Sequence, residues 1–259
     1  MFEINPFSEL SGSVSPALLQ AFVIAMIVLV AAGTLFDLIL KKSARYFFEN
    51  ARRNRGTRSV GPGQRVALGF KTAVIDWLAA GEFCSARRRI AHLLTMYGFL
   101  AYLIATLVMV FGYAAPDIDT PSVWPLLWHI GALLACIGGY WFWFFIRVDV
   151  SAEGHSPFRV VRADLFILSL LANTTLALIW SWAQSSGRDW SNVALGLYLA
   201  SALVLFGSVP WSKFSHMFYK PAAAFQKRVE EANGSRANLP PPADKPATLG
   251  SARTQPSHY

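Results

Sequence analysis

Long apolar runs broken by short polar stretches set the plan of this 259-residue chain. Five runs are long enough to cross the hydrocarbon core of a bilayer, which takes about 20 residues of helix. They cover residues 18–40, 90–113, 123–146, 164–182 and 193–209. The fifth is expected to continue past Pro210 toward Tyr219, with the proline either kinking it or marking its last turns. Between the first two runs lies a stretch of a different kind, RVALGFKTAVIDWLAA at 65–80. It has an apolar face and a basic start, which predicts a helix lying in the interface plane or docking a partner. Residues 221–232 read as a short helix that stops at Asn233-Gly234. The Pro-rich remainder to Tyr259 reads as disordered. The domains are therefore a segment 1–17, a five-span membrane domain 18–219 and a tail 220–259.

Composition agrees with this pattern. The chain is 54% hydrophobic and 15% charged, with mean hydropathy +0.39, where a soluble domain carries about 25% charged residues. The net charge of +8 does not point to nucleic acid, because the positive residues are confined to particular loops. Residues 41–89 hold twelve Lys and Arg against three acids. Arg147, Arg159 and Arg162 follow the third run, and Lys213, Lys220, Lys227 and Arg228 follow the fifth. The opposite loops carry Asp117 and Asp119, and Arg188 with Asp189. The N-terminal stretch has Glu3 and Glu9 and no cation. The positive-inside rule then places the N-terminus outside and the C-terminus in the cytoplasm. The expected class is an all-α, multi-pass protein of the bacterial inner membrane.

Cys84 and Cys136 form no CxxC pair, so this chain alone builds no thiolate iron–sulfur or zinc site. The first apolar run is too long for a signal peptide and is expected to remain as a helix. Five histidines are candidates for chemistry. His92 follows Arg87-Arg88-Arg89 at the start of the second span. His216 lies 24 residues after Asn192, about 36 Å along a continuous helix. That puts both at the same membrane boundary. Two neutral imidazoles at one depth suit the two axial positions of a haem iron; interfacial histidines with polar partners are the other reading. His129 lies near the opposite face and suits a helix–helix hydrogen bond or a quinone site. His155 and His258 receive no role.

The sequences RRRIAHLLTMYGF at 87–99, RADLFILSLL at 162–171 and PWSKFSH at 210–216 resemble the haem-b membrane subunits typified by the gamma subunit of respiratory nitrate reductase. Similar anchors occur in quinone-interacting oxidoreductase complexes, in tricarballylate-utilisation proteins and beside adenylylsulfate reductase. SKFSHMFYKPAAAFQKRVEEANG at 212–234 looks most like the last group. The family pattern has two histidines on the second span and two on the fifth, holding two stacked haems. His92 and His216 match the inner pair. The outer pair would fall ten residues after His92 and eighteen before His216, where this chain has Tyr102 and Tyr198. The resemblance therefore implies one haem b at the inner face, with the two phenols filling the vacated space, touching each other or meeting a quinone.

On that reading Arg89 and Lys213 can pair with haem propionates, or serve only as positive-inside anchors. Tyr97, Trp211 and Tyr219 can border a quinone or belong to the aromatic belt. Asn173-Thr174-Thr175 suits interhelical hydrogen bonding. The expected function is electron transfer between the quinone pool and cytoplasmic flavin and iron–sulfur subunits, with adenylylsulfate reductase as the partner. A haem-free anchor of the same complex and a non-redox assembly or transport protein are the alternatives.

Overall fold

The computed structural model describes residues 2–40, 49, 58–81, 83, 85–147, 158, 160–161, 164–211 and 216–234, with backbone only at 11–12, 38–40 and 216–220. The described residues are helical or irregular, with no strand among them. They form seven longer helices in succession: α1 (Pro16–Leu40), α2 (Pro62–Lys71, continued as a wider π-type turn over Thr72–Leu78), α3 (Ala86–Gly112), α4 (Val123–Trp141, continued likewise over Phe142–Ile146), α5 (Leu165–Ser185), α6 (Ser191–Gly207) and α7 (His216–Ala232). Four of them, α1, α3, α4 and α5, are long and apolar enough to cross a membrane. Helix α6 is equally apolar but has 17 residues, about 26 Å against a hydrocarbon core of about 30 Å.

The bundle has two distinguishable ends. Gln20 on the first turns of α1 donates to the carbonyl of Val110, near the end of α3. Gly33, late in α1, faces Val209 and Pro210 just beyond α6. The N-terminal face thus gathers the starts of α1, α4 and α6 with the ends of α3 and α5. The basic face gathers the opposite termini, together with Arg87–Arg89 and Arg147. Helix α3 begins four residues before the apolar run does, so its first turn contains the three arginines. Each cation at the positive end of a helix dipole costs about 0.3–1 kcal/mol. Drawing it into hydrocarbon would cost about 2.5–3.5 kcal/mol. The second term is larger, and the arginines stay at the helix start.

The tightest packing is between α3 and α4. A Cβ placed on Gly98 would lie 2.5 Å from the Ala135 nitrogen, one on Gly131 2.6 Å from the Tyr102 nitrogen, and one on Gly138 2.6 Å from the Ala91 carbonyl oxygen. The two backbones touch at three levels, with buried Ala91, Ala105, Ala132 and Ala135 filling the turns between. Small residues at such spacing let membrane helices approach closely, where lipid supplies no hydrophobic drive to bring them together. Helix α5 is the most enclosed of the four long helices and α1 the least.

Outside the bundle, α2 and α7 pack on each other at the basic face. Gly69 of α2 admits the Phe225 ring, and Arg228 donates to both oxygens of Asp76, at 2.7 and 2.9 Å. The stretch expected at 65–80 is helical, and the helix starts three residues earlier, with Pro62 in its first turn. The fifth span differs from expectation. Helix α6 stops at Gly207, and Ser208–Trp211 form a turn closed by Trp211 N–H to the Ser208 carbonyl. Pro210 has no N–H, and its ring would meet the carbonyl four residues back, so it ends the helix rather than kinking it. His216 consequently opens α7, a separate helix. The depth reckoned for it along an unbroken fifth span does not hold.

Substituting Gly131 with Leu should destabilise the bundle by about 3 kcal/mol or more, because the obstacle is backbone and cannot rotate away. Gly112, where an added Cβ meets nothing, should accept Ala within about 0.5 kcal/mol. Thermal unfolding of both variants in detergent, monitored by near-ultraviolet circular dichroism, checks the contrast.

Candidate functional site

The two tyrosines that replace the expected outer histidines meet at the centre of the bundle. Tyr102 on α3 and Tyr198 on α6 are both buried, and their hydroxyl oxygens lie 2.8 Å apart. The Tyr102 hydroxyl is also 3.1 Å from Asn173 Oδ1 on α5. A phenol has one proton and an amide oxygen only accepts. The consistent arrangement has Tyr198 donating to Tyr102 and Tyr102 donating to Asn173. Asn173 Nδ2 in turn donates to Ser201 Oγ, which donates to the Tyr198 carbonyl. Three helices are joined by one chain of hydrogen bonds, with Asn173 in the interhelical role expected of it. Thr174 and Thr175 serve similarly, against Cys136 Sγ and the Tyr140 hydroxyl of α4. Cys136 is a free thiol.

Aromatic rings fill the space around this pair. Trp180 stacks on Tyr198 at 5.3 Å and 9°, and Trp128 lies 5.4 Å from Tyr102. Phe7, from the segment before α1, contacts both tryptophans. That segment is pinned across the N-terminal face. Asn5 donates to the Tyr113 carbonyl and Thr120 Oγ1, and Gln184 donates to the Pro6 carbonyl. Phe7 and Leu10 are buried by it. The sequence carried no period that would have revealed this plug, because Phe7 and Leu10 precede the first apolar run.

His129 is fully buried beneath the same segment. Its Nδ1 is 2.7 Å from the Pro125 carbonyl and its Nε2 2.8 Å from Ser181 Oγ on α5. A carbonyl accepts only, so Nδ1 carries the proton and Nε2 accepts from the serine. Nε2 joins α4 to α5, the helix–helix role expected for it, while Nδ1 bonds within α4 to the carbonyl one turn back.

At the basic face the candidates are more dispersed. His92 is half-buried on the second turn of α3, with the Phe83 ring 4.9 Å from its own. Arg89 donates to the Ala79 carbonyl and Tyr97 to the Leu78 carbonyl. Both side chains therefore tie the end of α2 to α3, a role the sequence did not suggest. Trp211 is exposed in the turn after α6. Arg147 pairs with Asp164 through two contacts and lies over the Trp143 ring, 4.1 Å from its centre. This joins the end of α4 to the start of α5. Lys213, Cys84, His155, His258 and the residues after 234 lie outside the described residues, as do the side chains of His216 and Tyr219.

The phenol position does not fit a haem. Axial donors stand on opposite sides of an iron, and the Tyr102 and Tyr198 oxygens are in hydrogen-bond contact with each other. The surrounding volume holds Trp128, Trp180 and Phe7. At the basic face the described side chains offer one imidazole, that of His92, half-buried beside the Phe83 ring.

No family model matches the chain, and no solved structure matches it. Among curated proteins it is similar to "Citrate utilization protein B" of Escherichia coli, at 30% identity over 170 residues. The match covers 62% of this chain and 42% of the relative, so the chain spans less than half the length of the curated relative it matches.

Removing either phenol hydroxyl should cost stability, more for Tyr102→Phe, which deprives two partners, than for Tyr198→Phe. A double-mutant cycle between them should return a coupling of about 0.6–1.7 kcal/mol, the range for hydrogen bonds between membrane helices. Unfolding in detergent measures it.

Proposed function

We propose that this chain is the membrane subunit of an oxidoreductase complex, carrying electrons between the quinone pool and a cytoplasmic redox enzyme through one haem b. In this reading α1, α3, α4, α5 and α6 are five spans of a bacterial inner membrane, and the basic face is cytoplasmic. His92 from α3 and His216 from the start of α7 would hold the iron. When bound, the haem supplies one-electron exchange. Arg89 and Lys213 stand near it in sequence and suit its carboxylates, although Arg89 also holds the end of α2.

The observation that carries the reading is the contrast between the two faces. The half toward the N-terminal face is closed by a hydrogen-bonded tyrosine pair inside an aromatic cluster. That leaves the basic face for redox chemistry. A quinone would have to exchange electrons there, bordered by aromatic residues such as Tyr97 or Trp211. Little charge would then cross the bilayer. The soluble chemistry belongs to flavin and iron–sulfur subunits, with adenylylsulfate reductase favoured by the resemblance of 212–234. A second assignment places the same subunit in citrate utilisation, and the name of the 30%-identical relative favours it.

The purified protein is expected to show one b-type haem per chain in reduced-minus-oxidised absorbance, lost in His92→Ala and in His216→Ala and kept in Tyr102→Phe. Absence of the band in fully loaded wild-type protein would leave a haem-free anchor or a non-redox membrane protein. A second haem near the N-terminal face, seen by redox titration in oriented membranes, would overturn the single-haem reading.

A further inference from the structure

Helix α2 has an apolar side that none of the described residues covers. Val66 and Phe70 are 74% and 73% exposed, and Val74, Trp77 and Leu78 are also exposed. Val66, Phe70 and Val74 recur every fourth residue, and Trp77 extends the row. They form one stripe along the helix. The opposite side is engaged: Gly69, Thr72 and Asp76 face α7. Arg65 and Lys71 are both exposed. Arg65 shares the α7-facing side with Gly69 and Thr72 at the edge of the groove there, and Lys71 lies beyond the stripe on its other flank.

The position of the stripe identifies its occupant. The end of α2 is fastened to α3 by Tyr97 to the Leu78 carbonyl at 2.7 Å and Arg89 to the Ala79 carbonyl at 2.8 Å. Tyr97 and Ile90 are on the exposed side of α3, away from the packed interior. Helix α2 is thus fixed at the end of a membrane-crossing helix, on the side facing lipid. An amphipathic helix held there, with an apolar row outward and exposed cations on the rest of its circumference, has the form of an interfacial element. Between α2 and α7 an open groove of about 410 Å³ continues the stripe. Val66 and Trp77 belong to both, Phe225 and Pro221 form its far wall, and Arg65 stands on its edge.

We propose that the α2–α7 pair binds anionic phospholipid of the leaflet at the basic face, with the stripe and groove against acyl chains and Arg65 and Lys71 against headgroup phosphate. The pair then holds the tail helix, and His216 with it, on the membrane surface. The inference rests on the membrane reading and is independent of haem.

The test uses the full chain in nanodiscs of phosphatidylcholine with or without phosphatidylglycerol. Spin labels are placed singly at Gln64, Val66, Phe70 and Val74 in a cysteine-free background. Labels at 66, 70 and 74 should be reached by oxygen and shielded from a water-soluble nickel relaxant, with the label at 64 behaving oppositely. Phosphatidylglycerol should deepen the immersion. The preference for it should fall about fivefold for each cation removed in Arg65→Gln and Lys71→Gln. If the cysteine-free chain does not fold, quenching by brominated acyl chains, compared between wild type and Trp77→Phe, gives the same reading. Access of the nickel relaxant to positions 66 and 70 would overturn the proposal. So would shielding from both relaxants, which marks a protein contact, or indifference to phosphatidylglycerol.

Discussion

The backbone contact between α3 and α4 is the constraint on which the remaining packing depends. At Gly98, Gly131 and Gly138 there is no room for a single added carbon. Apolar side chains gain little by leaving lipid for each other, so association must come from close packing and interhelical hydrogen bonds. The glycines supply the first. With α3 and α4 drawn together, Trp128 comes within 5.4 Å of Tyr102 and donates to Thr106 at 2.9 Å. These contacts cross from one helix to the other and would be lost if the helices stood a side chain apart.

The second constraint is polar. Tyr102, Tyr198, Asn173 and Ser201 place hydroxyl and amide groups in the most apolar part of the chain, where an unpaired one would cost several kcal/mol. They satisfy one another across α3, α5 and α6. Such a network tolerates one arrangement, and so determines how α5 and α6 rotate against α3. His129 performs the same service between α4 and α5. The half of the bundle nearer the N-terminal face is built as a closed, internally bonded core, and the short segment carrying Asn5 and Phe7 seals it.

The extent to which this was legible depended on the period of each signal. The long helices α1, α3, α4 and α5 were marked by uninterrupted apolar length, and their boundaries fell within a few residues. Helix α2 was marked by its amphipathic pattern. Tyr102 and Tyr198 were singled out by comparing spacing with the pattern of a family the chain resembles, and contact between the two phenols, one of the readings given for them, is what the structure has. Three features gave no such signal. The glycine contacts occupy Gly98 on one helix and Gly131 and Gly138 on another, and no local rule pairs them. The N-terminal plug has no period. The break after Gly207 was obscured because proline permits either a kink or a stop, and the apolar pattern on either side of it reads the same for both. That ambiguity moved His216 from the end of one helix to the start of another.

This relocation bears on how the basic face is organised. A histidine at the end of a span is positioned by the bundle. A histidine at the start of α7 is positioned by whatever holds α7. In the described residues that is α2, through Asp76 with Arg228 and through Gly69 with Phe225. Helix α2 is in turn held by Tyr97 and Arg89 of α3, the helix that carries His92. The two histidines are thus linked by a route that leaves α3, passes along α2 and returns through α7. On the proposed reading, the separation of His92 and His216 is set outside the bundle, by two exposed helices. Any condition that moves α2 on the surface would then act on that separation directly, whereas the tyrosine pair is held by bonds among α3, α5 and α6.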